Sequence, residues 1–305
     1  MGGSVMKITI EMLEAKSACR AGKEWFKEAW PDGGDYQKVI DKAVEDNHPD
    51  YASWLISTFG STNDVLELDE FEGKHLFFAG RILIKNHIKV EFSIMAGRSI
   101  KAGDGIKAGR SIEAGRSIKA GDGIKAGRSI KAGDGIKAGR SIEAGDGIKA
   151  GRSIEAGDGI KAGWGIKAGW GIKAGDGIEA GDGIKAGDGI KAGDGIKAGD
   201  GIKAGDGIEA GDGIKAGDGI KAGWGIKAGD GIKAGRSIEA GDGVEAGDGI
   251  KAGLSITAKF LDCRLRIFAG IISWRLPSDK EIMINAEIKS GQVAHGRIGV
   301  VKDAA

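Results

Sequence analysis

The sequence predicts a mainly β chain: a parallel β-helix (β-solenoid), three-faced with 18 residues per coil, preceded by a small N-terminal α-helical domain. Three observations carry this reading. From Ile100 to Ile256 every sixth residue is isoleucine, apart from Val244. Around each sits the same six-residue word, Ile-Lys/Glu-Ala-Gly-Asp/Arg/Trp-Gly/Ser. The opening part of the chain lacks this period and shows helix caps and clustered aromatics instead.

That opening part, residues 1–62, reads as a helical head. Thr9 is placed to cap a helix over residues 10–21 that stops at Gly22, and a second over 23–30 is stopped by Pro31-Asp32-Gly33-Gly34. Asp35 opens a third over 36–46. Asp50, after Pro49, opens a fourth that ends at Gly60. Trp25, Phe26, Trp30, Tyr36, Val39, Ile40, Trp54, Leu55 and Phe59 supply a small core. The acidic stretch 63–75 is expected to be a linker or first cap.

Residues 76–258 form the solenoid. In an extended segment successive side chains point to opposite faces, so Ile100 and Ala102 point one way and Lys101 the other. Gly103 is read as a residue free to take positive φ, Asp104 as a turn former at a corner, and Gly105 or its Ser equivalent as the way into the next strand. A helix is excluded, because a six-residue period with two glycines in most units defeats a helical stripe and each glycine costs about 1 kcal/mol in a helix. Short repeats that bury one face only by stacking mark a solenoid. The 26 hexads could close as two or three per coil. With twelve residues per coil Arg116, Arg128, Arg140 and Arg152 would form one unbroken row; with eighteen, Asp134 interrupts the row of Arg98, Arg116 and Arg152. Adjacent like charges repel by about 1 kcal/mol per pair in water, which favours eighteen. Ile82, Ile88 and Ile94 extend the period backwards. The bulkier run from Phe260 to Leu276, followed by Pro277, reads as a terminal coil, so 259–305 is assigned as C-terminal coil and cap, with further short strands over 282–301.

The net charge of +1 divides unevenly, with 8 basic against 15 acidic residues over 1–75. An acidic head and a mildly basic body follow. Within the hexads the second position is Lys nineteen times and Glu seven, and the corner is Asp sixteen times, Arg six, Trp three and Leu once. This nearly balanced lattice reads first as a solvated surface. Cys19 and Cys263 lie in different modules and give no disulfide framework, which fits a reducing cytoplasm. No apolar run is long enough to span a bilayer.

Several apparent motifs are set aside. Gly103-Asp104-Gly105-Ile106-Lys107-Ala108 matches the dinucleotide fingerprint but recurs without a following helix. The calcium-binding β-roll needs nine-residue repeats, whereas these bends carry one carboxylate each. His48, His75, His87 and His295 lack metal-ligand spacing and stand near no distinctive nucleophile. No catalytic residue, metal or cofactor is therefore expected, and no enzymatic role. The strongest functional signal is at the corners. Trp164, Trp170 and Trp224 replace Asp or Arg there and are expected to be exposed, as interface hot spots often are. Arg98, Arg110, Arg116, Arg128, Arg140 and Arg152 cluster in the head-proximal half and are the second candidate partner-binding set.

Over roughly 76–258 the hexads resemble those of the polymer-forming bactofilins and related β-helical proteins, in which runs such as Ala-Gly-x-Ser-Ile-Lys recur. The resemblance implies a β-helix, of right-handed coil. The folded head and hydrophilic corners depart from that pattern and count against filament formation. The whole layout, with Ala18-Cys19-Arg20-Ala21-Gly22-Lys23-Glu24-Trp25-Phe26 and Pro31-Asp32-Gly33 ahead of Ala-Gly-x-Gly-Ile units that end in Ile267-Phe268-Ala269-Gly270, resembles proteins of tailed phages and prophages. Such proteins are often small inhibitors or scaffolds.

The expected function is therefore that of a non-enzymatic protein-binding module, phage- or prophage-encoded, that binds and inhibits a bacterial host protein or defence complex. A second reading is a self-associating β-helical rod, a homodimer joined through the apolar C-terminal cap. A third, nucleic-acid binding or mimicry, is disfavoured for the rod because the hexads carry almost no net charge; no membrane partner is expected.

Overall fold

The isoleucine period closes three strands per turn. In the computed structural model, which describes residues 6–299, Ile106, Lys107 and Ala108 pair in parallel with Ile124, Lys125 and Ala126, eighteen residues on. We name the faces by this coil: Ile106–Ala108 is on the first face, Ile112–Ala114 on the second and Ile118–Ala120 on the third. The corner that follows each face takes the same ordinal. Arg116 N donates to Arg98 O, Asp134 N to Arg116 O and Arg152 N to Asp134 O, at 2.7–2.8 Å. The eighteen-residue row, in which Asp134 interrupts the arginines, is the one formed.

Every isoleucine of the array points inward and is at most 1 % exposed. Each contributes about 1.5–3 kcal/mol of burial, but only against its neighbours in the coils above and below. The first face stacks thirteen strands, a rod roughly 58 Å long at ~4.8 Å per rung.

The hexad glycines serve a purpose different from the expected one. Among the described glycines positive φ occurs at Gly33, Gly60, Gly270, Gly291 and Gly296, none of them in the array. What demands the first glycine of each word is space. A Cβ on Gly193 would lie well under 3.0 Å from the carbonyl oxygen of Gly175 in the preceding rung, and the same holds along the array. The second glycine is looser: a Cβ on Gly195 would sit 3.2 Å from Gly213 O, which is why serine substitutes for it. Nor do the corner aspartates fold back on their own turns. Several pair instead with a basic residue one rung away, as Asp134 does with Arg152 at 3.6 Å.

Parallel pairing runs beyond 76–258 at both ends. Val65–Leu68 pairs with Arg81–Ile84 and Phe71–Gly73 with Ile88–Val90, so the acidic stretch already builds a rung. At the other end the coil continues through Ile256–Cys263, Arg266–Phe268, Met283–Ile288, Gln292–His295 and Arg297–Ile298. The parts of the expected head and cap at 1–5 and 300–305 lie outside the described residues.

The head contains four helices. The helix expected over 10–21 ends early, as α1 (Ile10–Ala15), and the one expected over 23–30 starts early, as α2 (Arg20–Ala29). The chain breaks at Ser17, held at φ 57°, and restarts at Cys19, whose Sγ accepts from Gly22 N at 3.3 Å. Gly22 thus lies inside α2 rather than ending α1. Helix α3 (Tyr36–Glu45) is capped by Asp35, whose carboxylate accepts from Lys38 N at 3.1 Å. Helix α4 (Pro49–Phe59) has Pro49 at its first position, where a missing N–H costs nothing, and ends at Gly60 with φ 83°. Asp50 sits in its first turn and His48 holds the cap position.

This head packs against the side of the rod. Phe26, Tyr36, Val39, Ile40 and Leu55 form one apolar cluster with Phe77 and Met95, the outward residues of the first two rungs of the second face. Gln37 donates to Phe77 O at 3.1 Å and accepts from Ala79 N at 2.9 Å, closing part of the first rung's free edge. Lys or Glu would occupy those outward places in the regular word; Phe and Met occupy them where the head covers them.

Candidate protein-binding surface

An outward position in the array repeats every eighteen residues, so each face presents one straight row of side chains. On the first and third faces glutamates interrupt the lysines and pair with them: Lys125 with Glu143 at 2.7 Å, Lys161 with Glu179 at 3.3 Å, Lys137 with Glu155 at 3.0 Å, Lys227 with Glu245 at 3.1 Å. The second face differs. Its row reads Phe77, Met95, Glu113, then Lys131, Lys149, Lys167, Lys185, Lys203 and Lys221 without a break, then Glu239. Only the ends are paired, Lys131 with Glu113 at 2.6 Å and Lys221 with Glu239 at 2.5 Å. Among the described residues the four lysines between have no carboxylate within 4.0 Å. Neighbours one rung apart repel by about 0.9 kcal/mol in water before screening. An open groove of about 780 Å³ runs beside this row, floored by Gly147, Gly165, Gly183, Gly201 and Gly219.

The coil size places the three corner tryptophans around this face. Trp164 stands on the first corner and Trp170 on the second, bracketing the strand Ile166–Ala168 whose outward residue is Lys167. Trp224 follows Trp170 on the second corner three rungs later, about 14 Å along the rod. All three are exposed, at 62, 53 and 69 %. Trp170 is partly covered by the Arg152 guanidinium, 5.2 Å from its ring centroid, a contact worth about 0.5–1 kcal/mol when exposed.

The arginines do not form one patch. Arg110 and Arg128 lie on the first corner, Arg98, Arg116 and Arg152 on the second, and Arg140 on the third, away from the second face. Arg140 and Arg152 face Asp122 and Asp134 one rung away, both at 3.6 Å. Arg110 stacks on Phe92 at 4.9 Å. Five arginines thus border the head-proximal half of the second face, and Arg140 does not belong with them.

The lysine row was missed in the sequence, although a stride of eighteen from Lys131 reveals it. Summing charge over all hexads averages it away. A second feature without a sequence signal is a cavity of about 360 Å³ in the head, lined by Cys19, Trp25, Tyr51 and Trp54 among others. Cys19 and Cys263 are both free. Among the described residues no three His, Cys, Asp or Glu side chains are grouped to hold a metal ion, and no helix is long and apolar enough to cross a membrane.

Comparison with known proteins bears on the head. No curated protein and no solved structure matches the chain. Residues 6–62, the helical head together with its approach to the first rung, match the family model of the YdhT N-terminal domain.

Proposed function

We propose that this chain is a non-enzymatic module that binds another protein through the second face of its solenoid. The observation that carries the reading is the placement of Trp164, Trp170 and Trp224 on the two edges of the face with the longest unbroken lysine row among the described residues, four of whose lysines have no carboxylate partner. Exposed tryptophan beside charge supplies the anchors of an interface, and an uncompensated row supplies its electrostatic preference. The favoured partner is an acidic protein surface. A nucleic-acid backbone fits less well, because Asp182, Asp200, Asp188 and Asp206 flank the row on both corners and repel phosphate. The resemblance to phage proteins makes a bacterial host protein, inhibited by being bound, the partner to look for.

The test is affinity capture from bacterial lysate with the full chain and with a Trp164→Asp, Trp170→Asp, Trp224→Asp variant. Aspartate is the commonest corner residue, so the fold is retained. A partner band captured by the native chain and lost from the variant is the expected result. Equal capture by both removes the second face from the reading.

A further inference from the structure

The lysine row has a counterpart on the same molecule. On the third corner, the vertex opposite the second face, Asp158, Asp176, Asp194, Asp212, Asp230 and Asp248 follow one another rung by rung. Apart from Asp248, which pairs with Arg264 at 2.6 Å, none has a basic group within 4.0 Å among the described residues. Six lysines on a face and six aspartates on the opposite edge therefore share one repeat of ~4.8 Å. Few partners match such a repeat. Side chains on one side of an extended strand recur at about 6.6 Å and helix turns at 5.4 Å, so either falls out of step within a few rungs.

The pattern across the rod matches as well. The lysine row is bordered by Asp182, Asp200 and Asp218 on one corner and Asp188 and Asp206 on the other. The aspartate edge is bordered on the first face by Lys197, Lys215, Lys233 and Lys251. On the third face the flanking row mixes Lys173, Lys191 and Lys227 with Glu209 and Glu245, so the complementary stripes are the lysine row against the aspartate edge and one aspartate border against the first-face lysines.

We propose that a second copy of this chain occupies the second face, its aspartate edge laid along the lysine row. The inference rests on the reading of the second face as the working surface and names what covers it in the isolated protein. The head selects the direction. It covers Phe77 and Met95 at the N-terminal end of that face, so a parallel neighbour with Asp158 opposite Lys131 would drive its first rungs into the head. In the antiparallel arrangement Asp248 faces Lys131, and of the first-face rungs only Arg266–Phe268 and Gln292–His295 lie beyond. Row and edge are on opposite sides of one rod, so the contact is heterologous and growth is open-ended.

Sedimentation velocity of the full chain over a range of concentration tests this. At low salt the average mass should climb from that of the 31.4 kDa monomer, with affinity falling at least about tenfold at high salt as the charges are screened. A Lys149→Glu, Lys167→Glu, Lys185→Glu, Lys203→Glu variant and an Asp176→Lys, Asp194→Lys, Asp212→Lys, Asp230→Lys variant should each remain monomeric. Mixed in equal amounts they should associate again, because each supplies the charge the other lost. Glutamate already occupies the outward position at Glu143 and a cation the corner at Arg140, and circular dichroism verifies each fold. A native chain that is monomeric at low salt, a variant that associates like the native chain, or a mixture that stays monomeric overturns the proposal. Partner capture is read on a different band with the tryptophan variant, so the two readings fail separately.

Discussion

Replacing Gly193 by alanine is the sharpest test of what holds the coils at their spacing. The new methyl would fall well under 3.0 Å from Gly175 O, and ordinary contact requires the two rungs to part by more than ~1 Å there. Two inter-rung hydrogen bonds stand at that point, Gly193 N to Ala174 O at 3.2 Å and Asp194 N to Asp176 O at 3.3 Å. Losing both costs about 2 kcal/mol, and overpacking the buried Ile and Ala rows beside them adds about 1–3 kcal/mol. The expected loss is about 4 kcal/mol, confined to adjacent rungs because solenoid repeats couple to nearest neighbours. Gly195→Ser, two residues away, should cost no more than about 0.5 kcal/mol, since a Cβ there has 3.2 Å of clearance and serine holds the same place at Ser141 and Ser153. A chain of this kind does not unfold in one step, so the assay is native-state hydrogen exchange at the amides of residues 174–214. Gly193→Ala should lower protection there roughly a thousandfold, and Gly195→Ser should leave it in place. If both variants exchange alike, close approach is not the reason for the glycine, and the conformational explanation returns.

Two further outcomes follow from the ends of the rod. Met95→Lys with Phe77→Lys restores the ordinary outward residue where the head docks and should cost about 3–5 kcal/mol of docking, read as release of an intact head by limited proteolysis while the rod keeps its circular dichroism; an undiminished lifetime of the full chain refutes it. In the C-terminal cap, the Arg275 guanidinium beside Glu281, together with the backbone N–H and hydroxyl of Ser278, holds that carboxyl at about 2, below its ordinary 4.5. Its contribution is thus complete above pH 4.5 and fades as pH falls toward 2. The exposed Trp274 should report a loosening of the cap by fluorescence over that window, and Glu281→Gln should abolish the acid step; an unaltered profile in that variant points to another group.

The sequence alone determined everything that depends on a local alternation of side chains. Ile100 and Ala102 inward, Lys101 outward and Asp104 at a bend follow from the pleat, and the hexad period allows only a stacked coil. The helices of the head were legible through Asp35 and Gly60, because caps are local; the break at Ser17 was not, because Gly22 looks like a stop until Cys19 is seen closing the turn beside it. The glycine requirement was misassigned for a related reason. Positive φ is a property of one residue, whereas the carbonyl that excludes a Cβ belongs to a rung eighteen residues away.

What only the tertiary structure decided is which hexads are neighbours. The same letters give an unbroken arginine row at twelve residues per coil and an interrupted one at eighteen, and closure at eighteen is what gathers Lys131 to Lys221 on one face, sets Trp164, Trp170 and Trp224 on its borders, sends Arg140 to another corner and lines up Asp158 to Asp248 on the far edge. Phe77 and Met95, unremarkable as two apolar residues in a β region, became the seat of the head only when the fold turned both outward on adjacent rungs. The physical reason is one of range. Pleat and cap energies act over a few residues and are written in the word itself, while rows of charge and docking surfaces arise between coils, where sequence separation carries no distance.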